Sequence, residues 1–178
     1  MKIVGISGSL RLDSTNTKLL RAAVENSSEE EFDFFLTDLI GQLPLFSPDL
    51  DPSDLPIVDE WSTLIRDSDG IVISTPEYAR GYPGALKNAF DWLVQGDGFV
   101  DKPFMFLKAS KRTDQSHSSL KVVLETMSGV HIFKADGLVP LLGTNFTKEE
   151  IQENSEFADI IRRSMNLFEQ EIRALEIT

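Results

Sequence analysis

Short apolar runs alternate with amphipathic stretches along the chain, and the alternation predicts a repeating strand–helix order. Ile3-Val4-Gly5-Ile6 opens it as a buried strand, and after a polar loop Leu19 to Val24 carry helical spacing. Phe32 to Leu36 read as a second strand, followed by a Pro- and Asp-rich loop over residues 41–56. Val58, Trp61, Leu64 and Ile65 then repeat at helical intervals. Ile71-Val72-Ile73 form a third strand, and Pro83 opens a helix whose stripe is Leu86, Ala89, Phe90 and Leu93. A fourth strand, Phe104 to Leu107, precedes a helix marked by Leu120, Val123, Leu124 and Met127, and Val130 to Phe133 suit a short fifth strand. Thr147 and Glu150 have capping-box spacing, from which Ala158, Ile161, Met165, Phe168, Ile172 and Leu175 trace one long helical stripe.

The strands are continuous apolar runs, without in–out alternation, so the predicted fold is a parallel sheet covered by helices on both faces. No repeat, linker or low-complexity tract interrupts the 178 residues, which are read as a single domain, 1–178. In such sheets ligands sit beyond the carboxyl ends of the strands. The loops after strands one, three and four are therefore the places to look.

Composition narrows the chemistry. The chain has no cysteine, which excludes disulfides, thiolate nucleophiles and iron–sulfur clusters. Its two histidines, His117 and His131, are too few for a typical histidine-built metal site. A formal net charge of −12 opposes binding to nucleic acid or an anionic membrane surface, yet permits a small anion in a locally basic pocket. The apolar run at the start is too short for a signal peptide, no run approaches a membrane span, and a cytoplasmic location is expected.

The first loop, GSLRLDSTN from Gly8, offers Ser9, Ser14, Asn16 and Thr17 as short polar donors at a helix start, with Arg11 as a fixed cation. A helix N-terminus favours an anion, and these residue types suit a phosphomonoester. A plain loop, with Ser14 or Asn16 as the helix cap and Arg11 solvated, is the alternative. Neither GxGxxG nor GxxxxGK[ST] is present, and Asp13 would repel a phosphate.

The loop after strand three reads TPEYARGYPGALKNAFDWL. Taken with the first loop, it resembles the NADPH-dependent FMN reductase family of flavodoxin-like proteins, which includes quinone, chromate and azo-dye reductases. Gly8, Ser9, Arg11, Ser14 and Asn16 match the family's first motif. Pro76, Glu77, Tyr78, Gly81, Pro83, Gly84, Leu86, Lys87, Asn88, Ala89, Asp91 and Trp92 match the second in register, and LPLFSPDLD at Leu43–Asp51 is similar to a third segment.

The resemblance implies a flavodoxin-like three-layer α/β sandwich with a five-stranded parallel sheet in the order 2-1-3-4-5. It implies bound FMN, with Ser9, Arg11, Ser14, Asn16 and Thr17 around the phosphate. Pro76, Glu77, Tyr78 and Ala79 would border the ring, Tyr78 and Arg80 would shape the acceptor pocket, and Ser110 would donate from the loop after strand four. The implied reaction carries a hydride from NADPH or NADH to flavin N5, and then electrons to a quinone, an azo compound, a metal oxyanion or free flavin. No side-chain acid or base is needed for it, and no metal. An electron carrier or flavin-binding sensor without turnover is the alternative.

One segment departs from the family pattern. Its usually glycine-rich third loop reads ASKRTDQSHSS here, Ala109 to Ser119, with no glycine between Gly98 and Gly129. Close backbone approach to a ring is harder without one, leaving weaker flavin binding, or none, as a further alternative. Lys111 and Arg112 either attract an anionic ligand or form a solvated basic turn. His117 is expected at the surface or as a helix cap, His131 as structural, and Asp49, Asp51 and Asp54 as a solvated loop. Lys87, Asn88 and Trp92 lie off their helix's apolar stripe, which fits either a subunit interface, in a homodimer or homotetramer, or a half-buried tryptophan.

Overall fold

A computed structural model describes residues 1–26 and 33–175. The elements follow in the order β1 (Lys2–Ser7), α1 (Thr15–Asn26), β2 (Asp33–Thr37), α2 (Pro56–Arg66), β3 (Gly70–Ser74), α3 (Gly84–Asp91) and β4 (Pro103–Lys108). There follow α4 (Asp114–Thr126), β5 (Val130–His131), β6 (Gly137–Leu138), α5 (Lys148–Glu153) and α6 (Ser155–Leu175). The strands pair in parallel in the order β2-β1-β3-β4-β5, as expected. The second strand begins at Asp33, and Phe32 lies outside the described residues.

Both sheet faces are apolar because both are covered. Ile3, Val72, Met105 and Leu107 point to the layer of α1 and α6, where Ile161, Met165, Phe168 and Ile172 meet them. Their neighbours Val4, Ile6, Ile71, Ile73, Phe104 and Phe106 point to α2, α3 and α4. The C-terminal stripe thus packs on the chain's own sheet. The stripe lies wholly within α6, but the capping box does not start that helix. The Thr147–Glu150 capping box starts the six-residue α5, and Asn154 then leaves helical geometry and accepts the Phe157 N–H at 3.1 Å to begin α6.

The sheet edge beyond β4 is also interrupted. β5 pairs with Pro103 and Phe104, a turn at Phe133–Ala135 intervenes, and β6 resumes the pairing at Leu107 and Lys108. The carboxylate of Asp136 fills the gap by accepting the Phe106 N–H at 2.9 Å. It also meets Nε2 of His131 at 3.0 Å, while that ring stacks on Phe104. His131 is structural, as expected.

Trp92 and Asn88 are used inside the chain, in correction of the interface reading. Trp92 is 1% exposed, and its indole N–H donates to the Pro44 carbonyl at 2.8 Å. Asn88 accepts from the Phe46 N–H at 2.8 Å and donates to Pro44 O at 2.9 Å. The two side chains fasten the 43–46 segment over α3, with Phe46 edge-on to Trp92. Pro83 stands one residue before α3, at its N-cap.

His117 is neither exposed nor a cap. Its ring is buried edge-on against Phe106, Nδ1 lies 2.6 Å from Thr113 O, and Nε2 has no partner. Burial holds its pKa below the ordinary 6.5. The sign follows directly: above about pH 6.5 the ring is neutral in both folded and unfolded chains, and its packing contribution is complete. As pH falls below that value the unfolded chain takes up a proton that the folded chain refuses, so stability is lost. His117→Asn, which keeps a donor for Thr113 O, should flatten the decline in urea midpoint between pH 7.5 and 5.5. An unchanged decline would show that other groups cause it.

Candidate functional site

The carboxyl ends of β1, β3 and β4 converge on a cleft of about 380 Å³, within the range of small-ligand sites. Ser9, Arg11, Ser14, Thr15 and Asn16 line it from the first loop, and Pro76, Glu77 and Tyr78 from the second. Ala109, Ser110, Arg112 and Thr113 line it from the third. A fourth wall, Leu141 to Thr144, follows β6 and was not anticipated from the sequence. A larger depression, about 880 Å³, adjoins on the β2 side and shares Ser9 and Arg11, but none of the motif residues after β3 or β4 reaches it.

The first loop is drawn tight by Gly8. Its N–H donates to Ser74 O at 2.8 Å, and a Cβ there would lie 2.3 Å from Oγ1 of Thr75. Ser14 is the cap of α1: its hydroxyl accepts the Thr17 N–H at 3.3 Å and its carbonyl the Lys18 N–H at 2.9 Å. The N–H groups of Thr15 and Asn16, at the positive end of the helix, have no acceptor within the helix. Asn16 is fixed by the Ser74 hydroxyl, which donates to its Oδ1 at 3.0 Å and leaves its amide N–H groups for other partners. Ser9, Ser14 and Asn16 are all buried, whereas Arg11 is exposed at the rim.

Thr17 departs from expectation. Its hydroxyl lies 2.8 Å from Ser7 Oγ, and it lines the adjoining depression, not the cleft. Asp13 is less adverse than its charge suggested. It pairs with Lys18 at 2.5 Å and lies 3.9 Å from Arg11; the Lys18 hydrogen bond and charge hold its pKa below the usual carboxylate value.

The second loop carries a strained tip. Tyr78 and Gly81 exchange two backbone hydrogen bonds, 2.8 and 2.9 Å, around Ala79 and Arg80, whose φ angles are 49° and 66°. This is a two-residue hairpin turn of the kind that favours Asn-Gly, built without glycine at either central position. Ala79 and Arg80 are exposed and do not line the cleft, while Tyr78 does. Replacing the pair with asparagine and glycine (A79N/R80G) should raise stability by about 1 kcal/mol, since each non-glycine left-handed residue costs on that order. A urea midpoint that does not move upward would contradict the strain argument.

Glu77 does not point freely at a ligand. One carboxylate oxygen accepts the Ser116 N–H at 3.2 Å, and the Ser116 hydroxyl donates to Pro76 O at 3.2 Å. Glu77 therefore caps α4 from another loop, where Thr113 at the N-cap position makes no side-chain cap bond. With that support α4 begins at Asp114, and the third loop is far shorter than expected. Ala109 and Ser110 occupy its approach, then a helical turn at Lys111–Thr113 leads into α4. Ser110 caps that turn by accepting the Arg112 N–H at 3.0 Å. The approach is thus built of two small residues and a capped turn, without glycine.

The donor set fits a phosphorylated flavin. Two buried hydroxyls, an oriented carboxamide, helix-terminal N–H groups and an arginine gather at one end, and a Pro-led turn and short apolar walls at the other. NAD(P)H chemistry on such a cofactor requires a bound, oriented ring and no side-chain base.

Comparison with known proteins agrees. Residues 1–140 match the family model described as NADPH-dependent FMN reductase. A 2-hydroxy-1,4-benzoquinone reductase of Burkholderia sp is 47% identical over 93 residues, 52% of this chain and 49% of that protein. An NADPH azoreductase of Bacillus sp. (strain OY1-2) is 30% identical over 156 residues, 87% of this chain and 84% of its own. The chain thus spans about half the length of the first of these and most of the second. Among solved structures, the flavoenzyme NAD(P)H:(acceptor) oxidoreductase FerB from Paracoccus denitrificans superposes with a TM-score of 0.66 at 25% identity, covering 98% of this chain and 94% of that one. With both loop motifs folded into one cleft and most of this chain, residues 1–140, matched by the family model, the chain belongs to the NADPH-dependent FMN reductase family.

Proposed function

We propose that this chain is an NAD(P)H-dependent oxidoreductase that holds FMN non-covalently in the cleft between the loops after β1, β3 and β4. The observation that carries the reading is the convergence of the buried Ser9, Ser14 and Asn16 with Arg11 at the N-terminus of α1. Those groups would bind the phosphate, with Ser14 capping the helix and donating its own hydroxyl proton to the ligand. Pro76 and Tyr78 would border the ring through a fixed backbone and an aromatic face, and Ser110 would donate from the third loop. Glu77, Ala79 and Arg80 act on the shape of the second loop. Thr17 steadies the floor through Ser7. Bound FMN would supply the redox chemistry, accepting a hydride from NAD(P)H and passing electrons to a quinone, azo compound or related small acceptor.

Arg11 is exposed, so its loss should spare the fold and weaken the ligand. Arg11→Ala should raise the FMN dissociation constant about tenfold to a hundredfold, the range expected for losing a charge-assisted hydrogen bond. Fluorescence titration of the apoprotein reads this. A wild-type protein that takes up no FMN, or an unchanged constant in the variant, defeats the assignment. NADPH and NADH oxidation with a quinone then separates a reductase from a flavin-binding carrier or sensor.

The two helical layers share one sheet, which supports treating 1–178 as one flavin-binding domain. No helix among the described residues is long and apolar enough to cross a membrane. We place the protein in the cytoplasm, a reducing compartment with which a chain lacking cysteine agrees. A homodimer or homotetramer is proposed on the exposed Leu10, Leu12 and Leu45, since Trp92 is buried within the chain. Light scattering at micromolar concentration tests it.

A further inference from the structure

We propose that Leu142, on the turn after β6, selects the electron acceptor by giving the cleft an apolar wall that works with Tyr78 and favours planar, apolar molecules. The proposal rests on the reductase reading above and adds a residue outside both sequence motifs.

The cleft is polar at its floor, and its mouth carries two large apolar side chains beside the exposed Arg11 and Arg112. Ser9, Ser14, Asn16 and Ser110 are each no more than 8% exposed, whereas Tyr78 and Leu142 are each 55% exposed and line the same cleft from different loops. A single exposed leucine is ordinary on a protein surface. Two large apolar side chains at one opening, each on a fixed turn, are a surface waiting for a ligand face.

Leu142 is held firmly. Its neighbour Leu141 is buried and donates its N–H to the carbonyls of Ala109, at 3.0 Å, and Val139, at 2.9 Å. Thr144 returns both its N–H, at 3.1 Å, and its hydroxyl, at 2.8 Å, to Leu141 O. Gly143 reverses the chain with φ +78°, a value that favours glycine. The turn is thereby tied to Ala109, beside Ser110 in the third loop. Tyr78 is held by its hairpin, whose central residues sit at unfavourable positive φ. Each side chain leaves more than half of its surface uncovered in its own chain, and both gain when a flat apolar molecule covers them. A compact, hydrated anion covers neither.

The test uses the wild-type FMN-loaded protein and the variants Leu142→Ala and Leu142→Met. Calorimetry without nicotinamide nucleotide gives the dissociation constant for 2-methyl-1,4-naphthoquinone, and fluorescence gives that for FMN. Leu142→Ala should weaken the quinone about fivefold to tenfold more than it weakens FMN. Leu142→Met, which restores apolar volume, should recover most of the loss. In turnover with NADPH, the ratio of the KM for the naphthoquinone to that for ferricyanide should rise by the same factor in Leu142→Ala. If quinone affinity is indifferent to Leu142, or falls only in step with FMN affinity, the proposal is overturned while the reductase reading stands. A wild-type protein that binds FMN yet reduces neither acceptor overturns both.

Discussion

Gly8→Ala should cost the fold about 1–3 kcal/mol and all but abolish FMN uptake. The added methyl would lie 2.3 Å from Oγ1 and 2.8 Å from Cβ of Thr75, with Cδ2 of Leu86 at 3.1 Å. Thr75 is 1% exposed, so the clash cannot be relieved into solvent. The first loop must then lift off the end of β3, straining the Gly8–Ser74 hydrogen bond and the Ser74–Asn16 contact that aims the carboxamide. Urea unfolding reads the stability and flavin fluorescence the affinity. Adding Thr75→Ala removes the nearer contact and leaves the Cβ, so the double variant should recover part of both losses. An alanine variant with wild-type stability and affinity would show that the close approach has no energetic meaning.

Glu77→Ala should be nearly as damaging to the ligand site. It strips the acceptor from the N–H of Ser116, whose residue is 0% exposed, and an unsatisfied buried donor costs about 1–3 kcal/mol. The start of α4 would fray, and with it the Lys111–Thr113 turn that places Ser110 and Arg112 at the cleft. FMN affinity should fall about tenfold. Glu77→Gln keeps a carbonyl oxygen for the same bond and gives up only the favourable charge at a helix N-terminus, worth about 0.3–1 kcal/mol, so it should lie close to wild type. If alanine and glutamine behave alike, Glu77 does not act through that bond.

These two residues also mark the limits of reading the sequence. The first four strands of the sheet were legible because their apolar runs are local and continuous, and the first two loops because their motifs are long; the fifth ends two residues sooner than its apolar run, and the two-residue β6 has no such run. The length of the third loop was not legible. Its helix starts at Asp114 on a cap that Glu77 supplies to Ser116, 39 residues further along the chain, a relation that no local spacing encodes. The wall at Leu141–Thr144 joins the cleft only because β6 extends the sheet beside β4. Likewise Trp92 and Asn88 fall off the helical stripe of α3 yet are covered, because the 43–46 segment folds back over them. Periodicity reports which face of a helix meets the sheet and says nothing about loops that return to its other side.

The broken outer strand has a consequence for behaviour in crowded solution. An uninterrupted edge presents a row of unpaired amides to any extended peptide. On this side the row is only two residues long before the Phe133–Ala135 turn displaces it, and two more after. A carboxylate occupies the gap between. That rim offers no template for a foreign strand to dock and propagate, and the chain is guarded there against amyloid-like stacking.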